Sequence, residues 1–164
     1  MAKFMKILVP FDNSPSALRA LTKAISLATL SNGTITLVHI ISYHKAIAKI
    51  VGPYKGKLIT HVTKFLSDAQ KHASRLDADS DVKILHGSPA EELIHFAEDN
   101  DIKYFFTEEN RNPKLAERLA LELGGDLLLF SPLESLSKGD RPDTTYFEKM
   151  KANMDNLKIA LECS

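Results

Sequence analysis

The sequence predicts a three-layer α/β fold, in which a doubly wound, parallel five-stranded sheet of order 3-2-1-4-5 carries helices on both faces and an extra C-terminal helix follows. Two observations predict it. Five short apolar runs are near-continuous rather than alternating, which is typical of strands buried on both faces. Between these runs, apolar residues repeat at helical spacing. Because strands and helices alternate along the chain, we expect the strands to be parallel.

The predicted strands follow the apolar runs in chain order, and each is short enough for a buried strand. They are MKILVPF (5–11), TITLVHII (34–41), DVKILH (81–86), KYFFT (103–107) and DLLLF (126–130).

The predicted helices follow five apolar stripes, each expected to be the core-facing side of its helix. The first four are Ala17–Leu18–Leu21–Ala24–Ile25–Ala28, Leu58–Val62–Phe65–Leu66–Ala69–Ala73–Leu76, Leu93–Ile94–Ala97 and Leu115–Ala116–Leu119–Ala120–Leu123. For the last helix, we expect one face of the sheet to be covered by Tyr146, Phe147, Met150, Met154 and Leu157.

Three helix starts share one device, a Ser or Asn cap followed by Pro at the first helical position. They are NSP (13–15), GSP (87–89) and RNP (111–113), and the glycine pair 124–125 is expected to end the fourth helix. Helix N-termini also attract anions, but capping alone is the favoured interpretation of these three.

Composition excludes several classes of partner. Lys plus Arg and Asp plus Glu are 21 each, which gives no indication of nucleic acid or an anionic membrane. No apolar run approaches the roughly 20 residues of a membrane span, and the N-terminus lacks a secretory signal pattern. The one cysteine, Cys163, excludes an internal disulfide and suits a reducing compartment. We therefore expect a soluble, cytoplasmic protein without nucleic-acid or membrane partners.

The strand order also predicts where a ligand would lie. Doubly wound sheets bind ligands beyond the carboxyl ends of the strands at the switch point, here between the first and fourth strands. That crevice would be formed by residues 11–15 and 107–113, whereas the connection 42–57 has no clear assignment.

The first hundred residues resemble the universal stress protein family. The resemblance runs from MKILVPFDNSPSALRALTKAISLA through GTITLVHII to VKILHGSPAEELIHFAEDNDI. It implies a flavodoxin-like sheet of order 3-2-1-4-5 and, for many members, ATP binding. By resemblance, Asp12 faces the nucleotide, and the backbone around Ile40 and Ile41 reads the adenine edge.

The nucleotide-binding members of that family continue after the fourth strand with a glycine-rich phosphate loop, Gly-x-x-Gly followed later by Gly-Ser or Gly-Thr. This chain instead has TEENRNPKLAERLALELGGD, with no glycine before Gly124. Glu108 and Glu109 would face the triphosphate, and we expect Arg111 to be solvated. ATP binding is therefore expected to be weaker than millimolar or undetectable.

The remainder is similar to the C-terminal lobe of zinc and manganese solute receptors of ABC importers. The features are a Pro-Lys-hydrophobic-Ala-Glu helix, a strand ending in Pro-Leu-Glu-x-Leu and a closing helix with Tyr-x-x-x-Met-x-x-Asn. The receptors carry an Asp ligand directly before that Pro-Leu, where this chain has Ser131. His39 and His86 are expected to be packed or hydrogen-bonded rather than metal ligands, so no metal residue is assigned.

We therefore predict a single domain of residues 1–164, a chimera joining a stress-protein part (1–101) to a receptor-lobe part (102–164), and interpret the join as engineered. No nucleophile elbow or Walker lysine indicates an enzyme. The stress-protein dimer interface at the last strand does not carry over, and a monomer is favoured. The leading hypothesis is a scaffold with no evolved ligand and no cofactor. The alternatives are weak ATP or AMP binding and remnant zinc or manganese binding.

Overall fold

The structure, a computed structural model, describes residues 6–42, 54–108, 113–131, 133, 140–141 and 143–161. These residues separate into two compact units, one ending at Phe96 and the other beginning at Ala97. The five predicted strands and five predicted helices are all found among the described residues. In chain order they are β1 (Lys6–Pro10), α1 (Pro15–Ser31), β2 (Thr34–Ile41), α2 (Lys55–Ser74), β3 (Asp79–His86), α3 (Pro89–Asp99), β4 (Tyr104–Thr107), α4 (Lys114–Leu123), β5 (Asp126–Leu129) and α5 (Tyr146–Ala160).

The first unit is built on a parallel three-stranded sheet of order β1-β2-β3. The register pairs Lys6 with Thr34 and Thr34 with Asp79. Most of the predicted stripes of α1 and α2 pack into one core with the sheet, because their apolar residues recur every three or four positions. Two predicted members, Leu18 and Leu76, are instead exposed, and Leu76 lies beyond the end of α2. Its fully buried members include Phe11, Leu21, Ile35, Leu37, Val62 and Leu66.

The second unit holds β4 and β5, which pair in parallel from Tyr104–Asp126 to Thr107–Leu129. The helix α4 between them ends as predicted at Gly124, whose left-handed backbone (φ 62°) turns the chain so that the next N–H, of Gly125, bonds the carbonyl of Ala120 at 2.9 Å. The hydrogen-bonded strands thus form two parallel sheets, β1-β2-β3 and β4-β5. Each is a part of the predicted order 3-2-1-4-5.

The predicted caps have different outcomes. Ser14 caps α1 as expected, because its Oγ accepts the Ala17 N–H at 3.2 Å and Pro15 takes the first helical position. Pro89 likewise begins α3. Pro113, however, is the cap residue of α4 and not its first helical residue, and the helix begins one position later than predicted with no side-chain cap. The predicted cap Asn112 lies outside the described residues, as do 43–53 of the unassigned connection.

The expected orientation of the last helix is wrong. Phe147 is 78 % exposed, and Tyr146, Met150 and Met154 are also exposed, whereas α5 buries Lys149, Asn153 and Ala160. The physical reason is that the buried side makes specific polar contacts, described below, which the apolar side has no means of making. No helix among the described ranges is long and apolar enough to cross a membrane.

Candidate functional site

Asp12 lies directly after β1 in a turn that holds its carboxylate in place. Its Oδ1 accepts the backbone N–H of Ser14 at 2.9 Å, and Asn13 between them takes a left-handed backbone with φ 63°. This is an Asx turn, in which the side chain of an Asp or Asn accepts a hydrogen bond from the backbone two residues later and so imitates a backbone turn. The sequence NSP therefore does two things, since Ser14 caps α1 and also orients Asp12.

The surroundings of Asp12 keep it ionised. Hydrogen bonding by the Ser14 side chain is the main cause that lowers the pKa of Asp12 below its ordinary value, and the Ser14 N–H and the charge of His39 act in the same direction. Partial desolvation opposes them. Because the side chain is also exposed, Asp12 presents an ionised hydrogen-bond acceptor to solvent at neutral pH.

At the carboxyl end of β2, the backbone groups of the two predicted residues, Ile40 and Ile41, point toward different neighbouring strands. Val38 faces β1, because its carbonyl accepts the Phe11 N–H at 2.8 Å. Ile41 faces β3 and accepts the Gly87 N–H at 3.3 Å. Backbone groups alternate between neighbours along a strand, so Ile40 points to the β1 side, where the β1–β2 register has already ended at Pro10–Val38.

Ile40 is therefore the better candidate for reading a ligand edge, and the carbonyl of Ile41 already serves the sheet. The side chain of Ile41 is also buried, with 4 % exposure, and belongs to the hydrophobic core.

His39, on β2, contacts the segment that follows β1 within the first unit. Its Nδ1 lies 2.8 Å from the Phe11 carbonyl, so Nδ1 carries a proton that it donates there. Its ring also packs edge-to-face on Phe65, with ring centroids 5.1 Å apart. The expectation that His39 is packed and hydrogen-bonded is confirmed. Beside it opens a groove of about 230 Å³, lined by Phe11, Asn13, Leu18, Leu21, Phe65, Asp68, Ala69 and His72.

The other predicted wall of the crevice belongs to the second unit. Thr107 ends β4 and half-buried Glu108 follows it. Glu109 and Arg111 lie outside the described residues. The crevice between 11–15 and 107–113 stays a prediction.

The second unit contains a buried polar cluster where the receptor resemblance implies a metal ligand. Ser131 is 3 % exposed, and both of its backbone groups bond Asn153: the N–H donates to Oδ1 at 2.7 Å and the carbonyl accepts from Nδ2 at 2.9 Å. Lys149, one turn earlier on α5, forms an ion pair with Asp140. The ammonium disfavours a cation here, and the described residues hold no group of three or more His, Cys, Asp or Glu that could bind one.

This cluster was missed from the sequence, although a signal exists. Lys149, Asn153, Asn156 and Ala160 recur at helical spacing and make a second stripe on α5. Asn156 also bonds across to β5, donating to the carbonyl of Leu129 at 2.6 Å. These contacts hold α5 against the end of β5. Asn153, the Asn of the receptor-like helix motif, therefore has a structural role.

Changing Asn153 to Asp should lower the free energy of unfolding of the second unit by about 2 kcal/mol. The carboxylate can still accept the Ser131 N–H, but its other oxygen then faces the Ser131 carbonyl, which loses its buried donor. Urea unfolding followed by circular dichroism measures the difference. The control is Asn156→Asp, which loses a single, more exposed bond and should cost less than 1 kcal/mol by the same argument. Equal losses for the two variants would contradict the assignment.

Sequence comparison identifies the first part of the chain. The profile described as "Universal stress protein family" matches residues 3–103. The chain belongs to the universal stress protein family. A second profile, "Zinc-uptake complex component A periplasmic", matches residues 80–160. This universal stress protein thus carries a zinc-receptor-like segment, and the two matches overlap at residues 80–103, which contain α3 and all of β3 except Asp79.

A curated relative also shares part of the sequence. The zinc-binding protein AdcA of Streptococcus pyogenes serotype M18 is 34 % identical over 71 residues, which cover 43 % of this chain and 14 % of AdcA. The chain therefore spans only a small part of the length of this relative.

Solved structures share the stress-protein fold. UspA from Lactobacillus plantarum superposes with a TM-score of 0.65 at 17 % identity, covering 79 % of this chain and 99 % of UspA. The Archaeoglobus fulgidus protein in complex with dAMP has a TM-score of 0.57 at 18 % identity, covering 79 % of this chain and 98 % of the other. An Arabidopsis thaliana member with AMP bound has a TM-score of 0.51 at 12 % identity, covering 84 % and 99 %.

Proposed function

We propose that this stress protein is a recombined α/β scaffold without an evolved ligand or catalytic activity, in which receptor-type elements replace the nucleotide-binding end of the fold. The observation that carries the proposal is the sequence after β4, where no glycine occurs between Thr107 and Gly124. Phosphate cradles need backbone N–H groups that approach the ligand closely, and glycine permits that approach. On the receptor side, Ser131 stands where the ligand Asp is implied and is engaged by Asn153.

We further propose that the strands form one five-stranded sheet of order 3-2-1-4-5 in a single domain. Two observations support this. The sheets β1-β2-β3 and β4-β5 are consecutive parts of that order, and the superposition on UspA covers 79 % of the chain, more than residues 3–103 alone. A join within 80–103 would preserve the core, because both family profiles describe that segment. We attribute the join to engineering, since one of the matched families is described as periplasmic.

Residual adenine-nucleotide binding is the second candidate. Asp12 is ionised and exposed, and Ile40 points past the end of β1, so the elements for the adenine end are present in one unit. The triphosphate end is unfavourable. Glu108 and Glu109 would cost about 1–4 kcal/mol by like-charge repulsion, and each missing N–H bond about 1 kcal/mol more.

Adenosine or AMP should therefore bind more tightly than ATP, whose binding should be weaker than millimolar or undetectable. A thermal-shift screen with adenosine, AMP, ATP, Zn²⁺ and Mn²⁺ separates the candidates, because a ligand of the native state raises the melting temperature. No shift supports the scaffold. An increase in melting temperature with AMP that is lost in the Asp12→Asn variant supports residual binding. The control is Asp79→Asn, which removes an exposed carboxylate at the start of β3 and should retain the increase. Calorimetry showing micromolar ATP binding, or a shift with Zn²⁺ or Mn²⁺, would overturn the scaffold proposal.

A further inference from the structure

The outer side of α5 is an exposed apolar stripe formed by Tyr146, Phe147, Met150 and Met154. Phe147 is 78 % exposed and Tyr146 is 56 % exposed, and the two methionines are close to half exposed. The stripe continues with half-buried Leu157 and Leu161. From Phe147 to Met154 the spacing is 3 and then 4 residues, the repeat by which one helix packs along another. We propose that this outer stripe is the interface with a second copy of this chain, paired helix to helix about a twofold axis.

The area of the outer stripe fits a weak dimer. An aromatic side chain buries about 150–250 Å², so at the observed exposures the four side chains offer at most about 500 Å² per copy. Two copies would bury at most about 1,000 Å², which is the approximate lower limit for a specific interface. The pairing is therefore of the weak, concentration-dependent class.

The chemistry of the stripe is complementary to itself when the two helices run antiparallel. Its aromatic residues lie at the N-terminal end and Met154 at the other, so an antiparallel pair centred on Met150 places the aromatic rings of one copy on Met154 of the other. Thioether sulfur against an aromatic ring is a favourable contact. Opposed helix dipoles also favour this direction over the parallel one.

Charges on α5 favour a protein partner over a lipid surface. Glu148, Lys151, Asp155 and Lys158 flank the stripe with two charges of each sign, and Lys151 and Lys158 form ion pairs with Asp155 at 3.0 and 3.6 Å. A helix that binds anionic lipid needs a basic polar side. The whole chain has 21 acidic and 21 basic residues, so net-charge repulsion does not oppose association of two copies.

Sedimentation velocity of the full chain tests the proposal. Between about 5 and 500 µM, the range for a weak interface, the mass should rise from 18.2 kDa toward twice that value. Phe147→Glu should raise the dimer Kd by at least about 10-fold, since a charge then enters the apolar centre of the interface. The control is Leu121→Glu on α4, where an equally apolar residue is 84 % exposed; its Kd should be unchanged. Circular dichroism verifies that each variant is folded.

A cross-linking experiment tests the geometry without perturbing the charge. In a Cys163→Ser background, Met150→Cys should form an intermolecular disulfide on oxidation faster than Leu121→Cys, because the two copies of residue 150 meet at the axis. A monomer at all concentrations, as favoured from the sequence, would overturn the proposal. So would equal effects of Phe147→Glu and Leu121→Glu, or a monomeric chain that floats with phosphatidylcholine vesicles.

Discussion

Replacing Asp140 with Asn is expected to lower the free energy of unfolding of the second unit by about 3–5 kcal/mol. Asp140 forms an ion pair with Lys149, and the side chains are 17 % and 7 % exposed. Because Lys149 is nearly buried, water replaces the lost carboxylate around the ammonium only in part. Removing one partner of a buried pair leaves the other charge poorly solvated, which costs more than a surface ion pair contributes.

The cost should depend on which partner is removed. Lys149→Met preserves the volume of the lysine stem and leaves the more exposed Asp140, so we expect a smaller loss, about 1–2 kcal/mol. The double variant Asp140→Asn with Lys149→Met should recover part of the loss, because both charges of the pair are then removed. A double-mutant cycle by urea unfolding measures the coupling, expected at about 2 kcal/mol or more. Lys151 and Asp155, an exposed pair 3.0 Å apart on α5, provide the control cycle, whose coupling should be much smaller than that of the Asp140–Lys149 pair. Equal coupling in both cycles would show that burial is not the cause.

The strands and the first two helices were predictable because each has one dominant physical signal. A run such as TITLVHII satisfies strand propensity and burial together, and its observed bounds, Thr34–Ile41, agree with the prediction. The stripe Ala17–Ala28 has one apolar side, and all of its members except the 46 % exposed Leu18 are buried in the core. In such segments local propensity and tertiary burial agree, so sequence pattern is sufficient.

The last helix was mispredicted because it has two sides that compete for the core. The apolar side satisfied the rule that hydrophobic residues are buried, but that rule does not hold in reverse, since exposed apolar residues are common. The other side has partners that specify it: Ser131 for Asn153 and Asp140 for Lys149. These partners lie in or beside a segment predicted only as a loop, and their proximity to α5 is a tertiary fact that no local pattern reveals.

In the candidate site, too, some features follow from the sequence and others depend on tertiary structure. Family resemblance placed Asp12, Ile40 and Ile41 at the ends of β1 and β2, and the structure describes all three there. Only the register could distinguish Ile40 from Ile41, because the direction of a backbone carbonyl depends on which neighbouring strand it faces. The role of Ser14 in orienting Asp12 could have been anticipated from the Asp-Asn-Ser turn itself.

The second large effect is expected at Gly125, which joins α4 to β5. An added Cβ would collide with the carbonyl oxygen of Lys103 and approach the ring of Phe105 to 2.8 Å. Neither can move freely. The Lys103 carbonyl accepts the Asp126 N–H at 2.9 Å at the start of the β4–β5 pairing, and Phe105 is buried at 8 % exposure.

Gly125→Ala should therefore lower the free energy of unfolding by about 3 kcal/mol or more, since relief requires the strand pair to separate at its first bond. The neighbouring Gly124 separates steric space from backbone conformation: nothing lies within 4 Å of its Cβ position, but its φ is 62°. Gly124→Ala should cost only about 1 kcal/mol, the penalty for a left-handed alanine. Gly56 in α2 also has open space around its Cβ position. Gly56→Ala should therefore raise the free energy of unfolding by up to about 0.5 kcal/mol, because alanine has the higher helix propensity. Urea midpoints in the order Gly56→Ala, Gly124→Ala, Gly125→Ala from highest to lowest are expected. A Gly125→Ala midpoint at or above that of Gly124→Ala would mean that the α4–β5 connection yields without breaking the β4–β5 pairing.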